Sequence, residues 1–198
     1  MDVFAVEDPS TLTSVGVALN RTTVDNRFRP TKGTRTELTA ERVGLLGGDY
    51  EFTRLFAEHT AFLTIDRDAF DRATVLSIGL RGGLIPESGE SPVFERFYLG
   101  GRSLRGFEFR GVGPVGIRND TGLPGDDKVG GDFLFFAGAE IEKPLWQETL
   151  AGVVFLDTGT LANDVEFDEY RVAAGVGVRL YLPQFSQDHP AGSRLRFQ

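Results

Sequence analysis

The chain has 198 residues, no cysteine and a formal net charge of -8. That length suits one domain, the missing thiols exclude disulfide frameworks and thiolate metal sites, and the acidic balance offers no basic face for nucleic acid. No apolar run approaches the roughly 20 residues of a membrane-spanning helix, and the N-terminal MDVFAVEDPSTL, with Asp2, Glu7 and Asp8, lacks the basic and apolar regions of a signal peptide.

Two-residue alternation, the signature of a half-buried strand, recurs along the chain. Residues 13–21 set Val15, Val17 and Leu19 against Ser14, Gly16, Ala18 and Asn20. A turn at 25–33 (DNRFRPTKG) leads to a second strand at 35–43, whose apolar face of Thr36, Leu38 and Ala40 is weak. From Tyr50 to Ile65 the apolar face is Leu55, Ala57, Ala61, Leu63 and Ile65, and His59 shares it. After a charged turn at 66–72, the segment 74–84 points Leu76, Ile78 and Leu80 one way and Ser77, Gly79 and Arg81 the other. Residues 86–130 carry no strand or helix pattern, and loops of about 45 residues inside compact domains are usually functional. Strands resume at 132–142, 150–159 and 171–182, and a last one begins at 194–198. In these, Glu140, Glu142, Asp157, Arg171 and Arg179 occupy the polar face.

Connections alternate between compact turns near residues 28, 68, 147 and 187 and longer ones at 86–130 and 160–170. Short turns at one rim and long loops at the other are the habit of an outer-membrane barrel. The polar inward set argues against an apolar-lined, lipocalin-like binding barrel. Trp146 and Tyr181, near strand ends, read as interfacial aromatics, or Tyr181 as a lumen residue. His59 and His189 stand in no metal spacing, and no glycine cluster joins a strand to a helix as a phosphate loop requires.

Within the long loop, residues 93–114 (VFERFYLGGRSLRGFEFRGVGP) interleave Phe94, Phe97, Tyr98, Phe107 and Phe109 with charges and glycines. A solvated loop has no need of those rings, so the segment reads as packed inside something, with Arg105 aimed at a shielded acceptor. FERFYLGG at 94–101, SLRGF at 103–107 and GVGP at 111–114 together resemble the inward-folded loop of the BamA and TamA family of outer-membrane assembly barrels, the bacterial surface antigen family. The family core is Val-Arg-Gly-Phe, so Leu104 is a conservative departure beside Arg105, Gly106 and Phe107. The turn at 25–33 also resembles the Asp-x-Arg-x-x-Pro-x-x-Gly hairpin of that family.

The resemblance implies an all-β, antiparallel, up-and-down transmembrane β-barrel. About eight strands are present, the C-terminal half of a barrel of about 16, with the loop 86–130 folded into the lumen. Residues 1–198 then form one C-terminal barrel portion, Met1 is an internal start, and the chain is a fragment, a truncated chain or a mis-called gene whose sheet edges stay open. The resemblance also implies that Arg105 is tied to Glu140 and Asp157, while Phe97, Tyr98, Gly100 and Gly101 pack the loop; Glu142, which shares the face of Glu140, is by position a substitute partner. From spacing alone, a solvated Arg105 and a merely polar channel are equally open. The implied function is an outer-membrane protein assembly and insertion factor with no catalytic residue, metal or cofactor. Its implied partners are outer-membrane lipid, unfolded client proteins and accessory assembly subunits. A polypeptide secretion translocase of the same superfamily and a passive porin-like barrel are the competing expectations.

Overall fold

Alternating side chains bury one face of a strand and expose the other only if every strand keeps register with its neighbours, and one large antiparallel sheet does so here. The structure is a computed structural model that describes residues 10–86, 91–117, 122–147, 149–167 and 169–181. Seven strands, β1 (Ser14–Thr22), β2 (Gly33–Val43), β3 (Phe52–Arg67), β4 (Ala73–Leu84), β7 (Phe133–Trp146), β8 (Leu150–Ala162) and β9 (Arg171–Leu180), pair in the order β1-β2-β3-β4-β7-β8-β9. All six pairings are antiparallel. Among the described residues the sheet does not close, and β1 and β9 are its edges.

Register assembles a continuous apolar outer face. Leu19 lies opposite Leu38, Leu38 opposite Ala57, Leu63 opposite Leu76, Ile78 opposite Ala139 and Leu156 opposite Ala174. Much of this face is exposed: Leu19 is 62% exposed, Val17 72% and Val176 80%. Such a surface is what a lipid-facing sheet requires, and the strands, 9 to 16 residues long, meet the roughly 9 to 11 residues needed to cross a bilayer at a tilt. His59 does sit on this face, and its Nδ1 is 2.9 Å from Thr36 Oγ1 on the neighbouring strand. That cross-strand partner satisfies the imidazole where lipid could not.

The core lies on the opposite, concave face and is made by the loop together with the strands beneath it. Phe97, Leu99, Leu104 and Val112 pack with Leu134, Phe136 and Leu161 of β7 and β8, and with Val43, Phe52 and Ile85. The loop therefore lies against the inner wall. It also contains structure that its sequence does not announce: a 3-10 turn at Val93–Glu95 and a small hairpin of β5 (Val115–Ile117) with β6 (Pro124–Lys128). The expectation of a patternless 86–130 is corrected there, because Pro-Gly-Asp-Asp-Lys pairs without any alternation to reveal it. The last strand expected at 194–198, and His189, lie outside the described residues, as do 87–90 and 118–121.

The β1–β2 turn is tied by its own side chains. Asp25 accepts from the Thr31 hydroxyl (2.6 Å), the Thr31 N–H (2.9 Å) and the Lys32 N–H (3.2 Å), while Asn26 Oδ1 accepts from the Phe28 and Arg29 N–H groups. The Thr31 hydroxyl foremost, with the backbone donors, holds the Asp25 carboxyl well below the usual carboxylate range. A depressed carboxyl contributes stability that is complete above the ordinary aspartate value of 3.8 and is lost only as pH falls through the lowered one. Asp25 should therefore stay ionised where an ordinary aspartate is half protonated. Thr31→Val should move its titration back toward 3.8, read by carbon NMR of labelled aspartate carboxyls.

Candidate functional site

Three consecutive strands deliver the wall of the site. In β7 the alternation that turns Ile141 outward turns Glu140 and Glu142 inward; in β8 it turns Phe155 and Asp157 inward; in β9 it turns Arg179 inward. Glycines opposite them make room for the larger groups. A Cβ at Gly138, the cross-strand partner of Asp157, would stand 2.8 Å from Asp157 Oδ1, and one at Gly175, the partner of Phe155, would stand 2.6 Å from the Phe155 ring.

Arg105 enters from the loop and is held on three sides. Its Nε donates to Asp157 Oδ2 (2.7 Å), its Nη2 donates to Asp157 Oδ1 (2.8 Å), and its Nη1 donates to Glu140 Oε2. The guanidinium carbon lies 3.7 Å from the centre of the Phe155 ring, a cation stacked on an aromatic face. A forked pair of this kind fixes direction as well as distance. The Asp157 side chain is 2% exposed and Glu140 14%, against 33% for Arg105. The hydrogen bonds to Asp157 first, and then the one to Glu140, hold the Arg105 pKa above its ordinary value against the opposing pull of burial, so the guanidinium stays charged between its two acids.

The rest of the loop motif orients this clasp. Leu104 is fully buried, which explains why an apolar residue must precede Arg105, and Gly106 adopts φ +87°, a left-handed conformation natural to glycine. Phe97 is buried with its ring over Gly83, where a Cβ would approach it to 2.6 Å. Gly100 and Gly101 form the bend that Ser103 closes, its hydroxyl 3.0 Å from the Gly100 N–H and 2.8 Å from the Gly100 carbonyl. Tyr98 is half-buried and donates to the Val93 carbonyl (2.9 Å), and Phe107 packs at the margin of the core. Two of the five rings are placed otherwise than expected: Phe109 is 78% exposed, and Phe94 is 53% exposed with its ring edge-on to Tyr50. Neither is shielded by the wall.

Several partners were not legible in advance. Phe155 reads as an ordinary strand residue until its ring lies beneath the guanidinium. At the neck of the loop, Ser91 Oγ donates to buried Asp132 (2.6 Å) and Arg96 Nε donates to the Ser91 carbonyl (3.2 Å), which draws the two ends together. Beyond the clasp, Arg179 pairs with Glu140 (2.9 Å) and with Glu142, so Glu142 serves Arg179 and not Arg105. Tyr181 faces inward, its hydroxyl donating to Glu142 (2.7 Å), and Trp146 stands exposed at the short-turn rim. A cavity of about 380 Å³ opens beside the clasp, lined by Arg81, Arg102, Arg105, Phe136, Glu140 and Asp157 among others. Among the described residues no group of three or more His, Cys, Asp or Glu side chains is placed to hold a metal ion.

An apolar outer face, a polar inner wall and a long loop pinned to that wall define part of a transmembrane β-barrel. The Omp85 superfamily domain matches residues 4–187, and the chain belongs to that superfamily. It is 33% identical over 178 residues to the outer membrane protein assembly factor BamA of Nitratidesulfovibrio vulgaris, covering 84% of this chain and 21% of that protein. It is 30% identical over 179 residues to the BamA of Neorickettsia risticii, covering 85% of this chain and 22% of that one. The chain thus spans about a fifth of the length of the curated relatives it matches. The crystal structure of Haemophilus ducreyi BamA lacking POTRA domains 1–3 superposes with a TM-score of 0.71 at 19% identity, over 86% of this chain and 36% of that one, a likeness of fold.

Proposed function

We propose that this chain is the C-terminal portion of an outer-membrane barrel that assembles and inserts other outer-membrane proteins, and that the Arg105 clasp sets the position of its inner loop. The observation that carries this reading is the three-way hold on Arg105 by Asp157 and Glu140. The clasp ties a loop from one stretch of chain to two wall strands, fixing a shape without supplying a nucleophile or a proton shuttle. The action is non-enzymatic: no bond of the client is broken, and the free energy comes from the client's own strands pairing and leaving water. Lipid bathes the outer face, and unfolded outer-membrane chains are the clients, with accessory subunits bound outside the residues described.

The test is reconstitution. The full-length protein carrying this barrel is placed in phospholipid vesicles with a urea-unfolded outer-membrane client, and folding is followed by heat-modifiable gel mobility. Faster client folding than in empty vesicles is the expected result. Steady ion conductance with no acceleration would make it a passive pore, and passage of an unfolded chain into the vesicle interior would make it a secretion translocase.

A further inference from the structure

The acids that hold Arg105 do not end the chain of charges. Glu140 gives its other oxygen to Arg179 (2.9 Å), and Arg179 continues to Glu142. Glu142 in turn accepts from Tyr181 (2.7 Å) and pairs through Oε1 with Arg29 (3.2 Å), whose guanidinium lies 4.5 Å from the centre of the Tyr181 ring. Signs alternate without a gap from Asp157 to Arg105, Glu140, Arg179, Glu142 and Arg29. The far end is the unexpected part. Arg29 belongs to the β1–β2 turn, while Glu142 is on β7, which β3 and β4 separate from β2 in the sheet. Arg29 therefore crosses the concave side at the short-turn rim, and the Asp25 and Asn26 hydrogen bonds that rigidify the turn hold it in that projection.

We infer that Arg29 is a positioning residue for the inner loop: by holding Glu142 it keeps Arg179 and Glu140 aligned for Arg105, and so couples the short-turn rim to the loop. This goes beyond the assembly reading and stands or falls without it. Were Arg29 removed, Arg179 would be free to turn wholly onto Glu142 and away from Glu140. The Glu140 carboxylate would then lose one of the two cations that fix it.

The experiment is hydrogen exchange on the full-length protein in lipid nanodiscs, reading the amides of residues 100–107, where the Gly101 N–H is bonded to the Phe107 carbonyl (3.0 Å). Arg29→Gln should speed exchange there roughly threefold to tenfold, the range expected of coupled neighbours. Lys32→Gln, a change of equal charge in the same turn but off the ladder, should leave it at the wild-type rate. In an Arg105→Ala background, Arg29→Gln should add almost nothing, because the link it acts through is already gone. Should Arg29→Gln fail to fold, Tyr181→Phe, which keeps the ring but deletes the hydroxyl donor to Glu142, decides the matter with an expected rise of roughly twofold. Wild-type exchange in Arg29→Gln, or in Tyr181→Phe where that variant decides, would overturn the proposal. An equal increment with and without Arg105 would do the same.

Discussion

Arg105→Ala is expected to abolish outer-membrane assembly by the full-length protein while leaving the barrel folded. The side chain donates to both Asp157 oxygens and to Glu140, and it covers the face of Phe155. Removing one partner of a buried ion pair costs about 3 to 5 kcal/mol, chiefly because the other charge is stranded. Asp157, 2% exposed, is stranded in that way, but Arg105 is 33% exposed and water in the lumen recovers part of the loss. The barrel should survive because Phe97, Leu99, Leu104 and Val112 still bury the loop against β7 and β8. What is lost is the position of the tip. Arg105→Lys should behave nearer to Ala than to wild type, since an ammonium cannot make the forked pair or the stack. The measurement is the level of heat-modifiable outer-membrane proteins in cells whose only copy carries the variant, with trypsin accessibility of the loop read in parallel. Normal assembly by a stably expressed Arg105→Ala protein would remove the clasp from the mechanism.

The faces of the strands were legible because a period of two leaves little choice: once Leu76, Ile78 and Leu80 face lipid, Ser77 and Arg81 must face the lumen. The same parity put Glu140 and Asp157 on the inner wall, and the resemblance supplied the reason for Arg105 to meet them. Features that depend on the third dimension were hidden. Phe94 and Phe109 could not be told from Phe97 by type, since the shape of the bend decides which ring meets the wall. The β5–β6 hairpin lacks alternation because both its strands lie in a polar loop where neither face is required to be apolar. Arg29 meets Glu142 only because the sheet curves enough to bring the β1–β2 turn across to β7, and curvature leaves no mark on local sequence pattern. Arg179 was assigned to the right face without its role, because a lumen arginine has many acids within reach of parity and only distance selects among them.

Asp157→Asn is expected to loosen the loop more than Glu140→Gln does, although both delete one negative charge from the same cation. Asp157 spends both oxygens on Arg105, at 2.7 and 2.8 Å, whereas Glu140 gives Arg105 one oxygen and Arg179 the other. In Asp157→Asn one of those acceptors becomes an N–H2 group facing a guanidinium N–H, a donor against a donor in a site 2% exposed. In Glu140→Gln the amide oxygen can turn to Arg105, while Arg179 falls back on Glu142. Lost docking should amount to about 2 to 4 kcal/mol for Asp157→Asn and about 1 to 2 kcal/mol for Glu140→Gln, scaled down from the full cost of a broken buried pair. Protection of the 100–107 amides from hydrogen exchange, with the intact barrel verified by heat-modifiable mobility, ranks the two. The reverse order would place the pivot at Glu140, the carboxylate shared between Arg105 and Arg179. The alignment of those two cations would then matter more to the loop than the forked pair itself.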